Sequence, residues 1–289
     1  MIDRLDHVIL AVGDLDAATR SYALLLGRRP SWRGEHPSAG SANALFRLGN
    51  TYLELLAPAG AGPVAELLRA WLDAQGESPL GLAFGTSDAA ACRDALAQRG
   101  LEPGPVEKGL GRDVESGAIR EWLRVPIPLA KTRGVLLFAI QHTSPEGLLP
   151  PAAPAGPEAS LVSGLDHAVL ETSDPEAAMA LYGDGLGLRL ALDREFPAWD
   201  ARLIFFRVGG ITVELAARLK GASTPPERDR FYGLSWRVPD ADAARARLSA
   251  AGLDVSDVRA GRKPGTRVLT VRSGTCGVPT LLIEPRREG

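Results

Sequence analysis

Apolar and polar positions change period at regular intervals along this chain. Residues 5–12 are apolar with β-branched members, which predicts a strand. Asp14 follows, and apolar residues then recur at helical spacing through Leu26, with Gly27 at the stop. An Asp N-cap and a Gly just past the last turn frame a helix. Three short strands are predicted next, around 28–33, 42–48 and 51–56, the last two joined as a hairpin by the turn Gly49-Asn50. The unit is therefore βαβββ. Its helix covers one face of a small sheet and leaves the other bare, so two units must pair to close that face into a cup.

The unit recurs. Leu5-Asp6-His7 returns as Leu165-Asp166-His167, an offset of 160 that also matches Asp14 with Asp174, Tyr22 with Tyr182, Gly27 with Gly187, Phe46-Arg47 with Phe206-Arg207 and Glu54-Leu55 with Glu214-Leu215. In the later unit Pro175 takes the first helical position after Asp174. A second pair of units follows the first pair. Gly81-Leu82-Ala83-Phe84 resembles Gly233-Leu234-Ser235-Trp236, and Asp88 and Gly100 match Asp240 and Gly252. Asp240 caps a helix running to Ala251. These second units end in the apolar strands 136–141 and 280–284. The fold class expected is α+β, with four βαβββ modules forming two paired-module half-barrel cups. The N-terminal domain is 1–143 (modules 1–79 and 80–143) and the C-terminal domain is 161–289 (modules 161–228 and 229–289). The Pro/Ala-rich stretch 144–160 between them reads as a linker.

Composition narrows the function classes. The 289 residues carry 33 basic and 35 acidic side chains, a net charge of −2, which gives no basic excess for nucleic acid. No apolar run reaches the roughly 18–20 residues of a membrane helix, and the N-terminus lacks an apolar signal segment. Two cysteines, Cys92 and Cys276, make neither a disulfide framework nor a C-x-x-C zinc site. Neither a phosphate-binding Walker loop nor a G-x-G-x-x-G fingerprint is present. The expectation is a cytoplasmic protein with a small-molecule substrate, no nucleic acid or membrane partner, and a monomeric or homodimeric state.

Candidate chemistry gathers on the repeated strands. The chain has four histidines, and two of them, His7 and His167, hold equivalent places in the repeated first strand. A glutamate follows each by 47 residues, Glu54 and Glu214, inside an otherwise apolar strand. A carboxylate there is costly unless paired or bound to a cation. Glu284 ends the apolar run Leu281-Leu282-Ile283 in the same manner. An imidazole and two carboxylates converging from separate strands suit a divalent ion with open positions for substrate. Duplicated structural residues are the alternative, and both readings stand on these residues. Arg262 and Arg267, in the basic segment 261–267, are candidates for an anionic substrate group. Trp236 and Trp122 are candidate cavity-lining aromatics, although strand aromatics are usually core. His36 sits in a loop, and His142, next to Gln141, is expected on the opposite strand face.

With L-D-H on the first strand and x-E-L on the last of each repeated unit, the chain resembles the vicinal oxygen chelate superfamily, the glyoxalase I, bleomycin-resistance and extradiol dioxygenase group. The segments Gly34-Glu35-His36-Pro37, Ala42-Asn43-Ala44-Leu45 and 51–55 resemble its glyoxalase-like branch in particular. The resemblance implies a divalent metal (Zn, Ni, Mn or Fe) held by ligands from the first and last strands of two paired modules. Carried over, these are His167, Glu214 and Glu284 in the C-terminal half, with His7, Glu54 and Gln141 as secondary candidates in the N-terminal half. The fourth place, commonly His, falls at Gly233, near Ser235, and at Gly81. Without that second His, extradiol dioxygenase chemistry is disfavoured. A lyase or isomerase would use Glu214 or Glu284 as the catalytic carboxylate that takes a substrate proton. The C-terminal half, with two carboxylates, is the better metal candidate on this reading. The alternative is a metal-free cup that sequesters a small molecule, as bleomycin-resistance proteins do.

Overall fold

The computed structural model describes residues 1–221 and 225–286. The N-terminal half has eight strands: β1 (Ile2–Ala11), β2 (Trp32–His36), β3 (Ser41–Arg47), β4 (Tyr52–Pro58), β5 (Ser78–Thr86), β6 (Glu107–Asp113), β7 (Ile119–Pro126) and β8 (Leu136–His142). They close into a barrel in the order β1-β4-β3-β2-β6-β7-β8-β5. The two modules meet at two seams, β1 against β5 and β2 against β6. Helix α1 (Leu15–Leu26) is capped as the sequence predicts. The Asp14 carboxylate accepts from the Ala17 N–H, and Gly27 adopts a left-handed φ of 67°. β2 begins four residues later than expected, because the chain first leaves the helix with the Arg28 N–H still bonded to the Ala23 carbonyl.

Two further helices complete this half, α2 (Pro63–Gln75) and α3 (Ala89–Gln98). The hydrophobic pattern had not singled out α2, whose apolar face is short. Pro63 opens it and its backbone-buried residues are Ala65 and Leu68. Leu68 packs with Ile9, Leu56, Leu80 and Phe138, and Val64, Trp71 and Leu72 rest against the same cluster. The helix thus lies across one end of the barrel.

The C-terminal half repeats the plan with strands β9 (Gly164–Thr172), β10 (Arg189–Phe196), β11 (Ala201–Val208), β12 (Ile211–Arg218), β13 (Arg230–Arg237), β14 (Arg259–Ala260), β15 (Arg267–Val271) and β16 (Thr280–Glu284). Its sheet, β10-β11-β12-β9-β13-β16-β15-β14, stays open. Helix α4 (Pro175–Met179) is short and runs on as a π-helical turn over 180–185, whereas α5 (Ala241–Ala250) follows its predicted Asp240 cap. The described residues between β12 and β13, 219–221 and 225–229, contain no counterpart of α2. Among the described residues this cup therefore has no helix like the one that covers the first.

One hydrophobic cluster runs through both halves and includes Leu5, Tyr22 and Leu53 with Leu165, Tyr182 and Trp236. The Tyr22 hydroxyl donates to the Thr275 carbonyl, and Asn50 bonds both backbone groups of Leu165. The stretch expected to be a linker is laid against the N-terminal half. Leu149 and Ala152 are buried, and Ala152, Ala153 and Ala155 share backbone hydrogen bonds with Arg47, Arg29 and Gly27. Its prolines keep it extended, but its apolar side chains find cover. Among the described residues no helix is long and apolar enough to cross a membrane.

Candidate functional site

The repeated L-D-H segment carries an irregularity that the sequence pattern does not display. Across β1 and β5, Leu5 stands opposite Phe84 and His7 opposite Ala83, so Asp6 is an extra residue in β1. Across β9 and β13, Leu165 faces Trp236 and His167 faces Ser235, so Asp166 is extra in the same way. Such a bulge re-aims side chains and allows sequence neighbours to meet. Asp6 Oδ1 lies 2.8 Å from His7 Nδ1, and Asp166 Oδ1 lies 2.9 Å from His167 Nδ1. Each histidine is thereby oriented by the aspartate before it. The signal for this role in the sequence is the Asp duplicated before each His, Asp6 and Asp166.

The other ring nitrogen of each histidine points at the predicted glutamate. His7 Nε2 is 3.4 Å from Glu54 Oε2, and His167 Nε2 is 3.6 Å from Glu214 Oε2. In the N-terminal half this pair is largely buried, His7 more so than Glu54. Tyr52 stacks on His7 at 4.4 Å between ring centroids, and Phe138 meets it edge-on at 5.8 Å. Asn43 Nδ2 donates to Glu54 Oε1 at 2.7 Å, so both Glu54 oxygens are engaged. His142 Nε2 closes the array from behind, 3.0 Å from Asp6 Oδ1.

Protonation follows from these contacts. Burial disfavours charge on His7, but hydrogen bonds to Asp6 and then Glu54 outweigh it and raise the imidazole pKa. Burial likewise opposes the Asp6 carboxylate, yet His142 and His7 together hold it far below the usual carboxylate range. Glu54 is kept low against burial, chiefly by His7. Glu214 differs from its counterpart. Burial pushes its pKa up, and the charges of His167 and Arg262 offset this only in part.

The remaining sequence candidates lie elsewhere. Phe138, not Gln141, stands level with His7 across Ala83, and Leu281, not Glu284, stands level with His167 across Ser235. Alternation then turns Phe138, Ile140 and His142 into the cup and Gln141 out of it. This reverses the faces expected for Gln141 and His142. Gln141 Oε1 accepts from the Ala89 N–H at the start of α3, and Glu284 Oε2 accepts from the Ala241 N–H at the start of α5. Glu284 and Gln141 are therefore helix-anchoring residues, and the structure does not bring Glu284 to the His167–Glu214 pair. Arg267 bonds Asp242 and Glu284 on that same helix side, away from the cup. Trp236 is fully buried in the shared core rather than lining a cavity. Arg262 does stand near the C-terminal pair, stacked on Trp199 at 4.1 Å.

These positions test the donor set implied for a metal. At the implied ligand positions each cup offers one imidazole and one carboxylate from its first module, His7 and Glu54 or His167 and Glu214. The second module contributes Ala83 and Phe138 in one cup and Ser235 and Leu281 in the other. The fourth place is two residues beyond the expected Gly81 and Gly233 because of the bulged register. Among the described residues no cluster of three or more His, Cys, Asp or Glu side chains is arranged to hold a metal. The side chains present do not fit a four-ligand site in either half.

Above the His7–Glu54 floor the N-terminal barrel holds a half-open cavity of about 320 Å³. Its walls include Ile9, Trp32, Trp122, Phe138 and Ile140, with Val64 and Leu67 of α2 at its end and Arg120 at its side. His36 lines it too, with Nδ1 3.0 Å from the Ser41 hydroxyl, and burial pushes its pKa down. A space of this size and lining is characteristic of small-molecule sites.

Comparison with known proteins agrees with this architecture. The family model described as a glyoxalase-like domain matches residues 5–159, and one described as the glyoxalase/bleomycin resistance protein/dioxygenase superfamily matches 166–270. An ethylmalonyl-CoA/methylmalonyl-CoA epimerase from Cereibacter sphaeroides is 35% identical over 105 residues, spanning 35% of this chain and 73% of the relative. Among solved structures, a mutant 4-hydroxymandelate synthase from Streptomyces coelicolor superposes with a TM-score of 0.69 at 17% identity, covering 100% of this chain and 95% of that one. BphC, a halotolerant catechol dioxygenase, gives 0.61 at 14% identity, covering 98% and 87%. The structural likenesses bear on the fold alone. Duplicated βαβββ modules, paired cups and two matching family domains together place this chain in the vicinal oxygen chelate superfamily, to which it belongs as a tandem glyoxalase-like protein.

Proposed function

We propose that this protein binds a small organic molecule in its N-terminal cup, with the His7–Glu54 pair, oriented from behind by Asp6, acting as a polar contact surface and not as a metal site. The observation that carries this reading is the half-open, aromatic-walled cavity whose floor groups already satisfy one another. Helix α2 covers that cup, which supports the N-terminal half as the working one, the opposite of the preference drawn from two carboxylates in the C-terminal half. Fluorescence titration with neutral N-phenyl-1-naphthylamine tests the reading. One site per chain is expected, lost when Ile140→Trp fills the cup and kept in Ile283→Trp, its counterpart. Loss in the second variant alone would overturn it. Elemental analysis of the purified protein adds a check, since stoichiometric Zn, Ni, Mn or Fe removed by His7→Ala would contradict a metal-free floor.

A second reading rests on Glu214, whose raised pKa suits a carboxylate that takes a proton. With the epimerase relative in view, it predicts deuterium uptake from D2O into methylmalonyl-CoA, abolished by Glu214→Gln. Exchange that survives in the variant would remove this reading.

A further inference from the structure

Two cations line the N-terminal cup without an ion pair among the described residues, the exposed Lys108 at its rim and the buried Arg120. The inward residues of β7 are Arg120, Trp122 and Arg124. Arg124 is accounted for, with Nε and Nη2 both on Glu107 Oε2 at 3.1 and 2.6 Å. Arg120 is not. It is only 8% exposed, and its guanidinium carbon lies 5.4 Å from the Trp32 ring centroid and 5.9 Å from that of Tyr52. Among the described residues it has no ion pair and no hydrogen bond to an acceptor. A guanidinium carries five donors, and none of its nitrogens is sealed off, so they face the cavity and cleft space that Arg120 lines and are free to meet an anionic ligand there. The nearby acidic groups are already engaged, Glu54 by His7 and Asn43, and Asp6 by His7 and His142. The indole N–H groups of Trp32, beside Arg120, and of Trp122, two residues along the strand, likewise have no acceptor among the described residues.

Resting on the small-molecule reading of this cup, we infer that its occupant is a small organic carboxylate whose anionic group pairs with Arg120 and whose planar apolar body lies among Trp32, Trp122 and Phe138. A planar fork suits a carboxylate bidentately, and the aromatic faces suit a flat ring. Arg120 also borders a second, more polar cleft with Arg4, Arg47 and Asn50, so the test must separate the two spaces.

Calorimetric titration of the full chain with benzoate, phenylacetate and 1-naphthoate, each against its neutral primary amide, provides that test. At least one acid is expected to bind 10- to 100-fold more tightly than its amide, roughly the worth of a charge-assisted pair. Arg120→Met should abolish that preference, Arg120→Lys should restore part of it, and Arg93→Met, on α3 outside the cup and paired with Asp94, should leave it intact. Equal affinity for acid and amide in the wild type would overturn the anion inference and leave the cup reading standing. Binding of neither, with N-phenyl-1-naphthylamine also failing, would overturn both. Acid binding that persists in Ile140→Trp would assign the anion to the outer cleft and contradict the inference. The wild-type comparison needs no variant to fold.

Discussion

His7 is buried between two carboxylates, and this fixes how stability should respond to pH. Its folded pKa is raised above the ordinary histidine value of about 6.5. The stabilisation from the charged imidazole is therefore full below about pH 6.5 and lost as pH rises through the folded pKa. Asp6 works in the opposite sense, because its lowered pKa makes its contribution disappear only in strong acid. The urea midpoint of the wild type should fall between pH 6 and 9, and His7→Gln should show a flatter profile over that range. Equal slopes would mean that His7 does not carry the charge. At this scale the sequence was partly informative. The repeated His and Glu at one spacing identified both pairs, because a duplicated charge inside an apolar strand demands a partner. Asp6 and Asp166 escaped because their role depends on a bulge, and one chain read alone does not disclose strand register.

Register also explains the elements that were read differently. Glu284 ends and Gln141 is next to the end of the last strand of its module, and a one-residue change of parity sends such a side chain to the helix side instead of the cup. There each replaces the missing acceptor for a first-turn N–H. Glu284→Ala should cost about 1 kcal/mol of stability in chemical denaturation, the usual worth of such a cap, and leave binding of N-phenyl-1-naphthylamine untouched. Loss of binding would return Glu284 to the functional site. Helices α1 and α5 were legible from their Asp caps and glycine stops, but α2 was not, since its apolar residues cover a cup rather than extend the main core. Leu68→Ala, at a fully buried position of α2, should cost about 2–5 kcal/mol and weaken occupancy of the cup beneath it. A variant that is destabilised but binds unchanged would show that α2 is not part of the enclosure.

Across the whole molecule, the duplication produced two cups that have diverged. One is closed by the β2–β6 seam and covered by α2, and the other stays open at β10 and β14. The four-module plan was readable because repetition of short motifs survives where single motifs are ambiguous. The packing of the central strap was not, since proline-rich composition reports an extended path and not what that path touches. Both halves share one core, so the account places them in a single folded body with an uneven division of work. The five tryptophans report that division directly, with Trp32 and Trp122 in the N-terminal cup, Trp71 on its covering helix, and Trp199 and Trp236 in the C-terminal half. In 15N spectra with indole signals assigned by single Trp→Phe variants, adding N-phenyl-1-naphthylamine should shift Trp32 and Trp122 and leave Trp199 and Trp236 in place. Movement of Trp199 with the N-terminal pair unmoved would contradict the assignment of function to the covered cup.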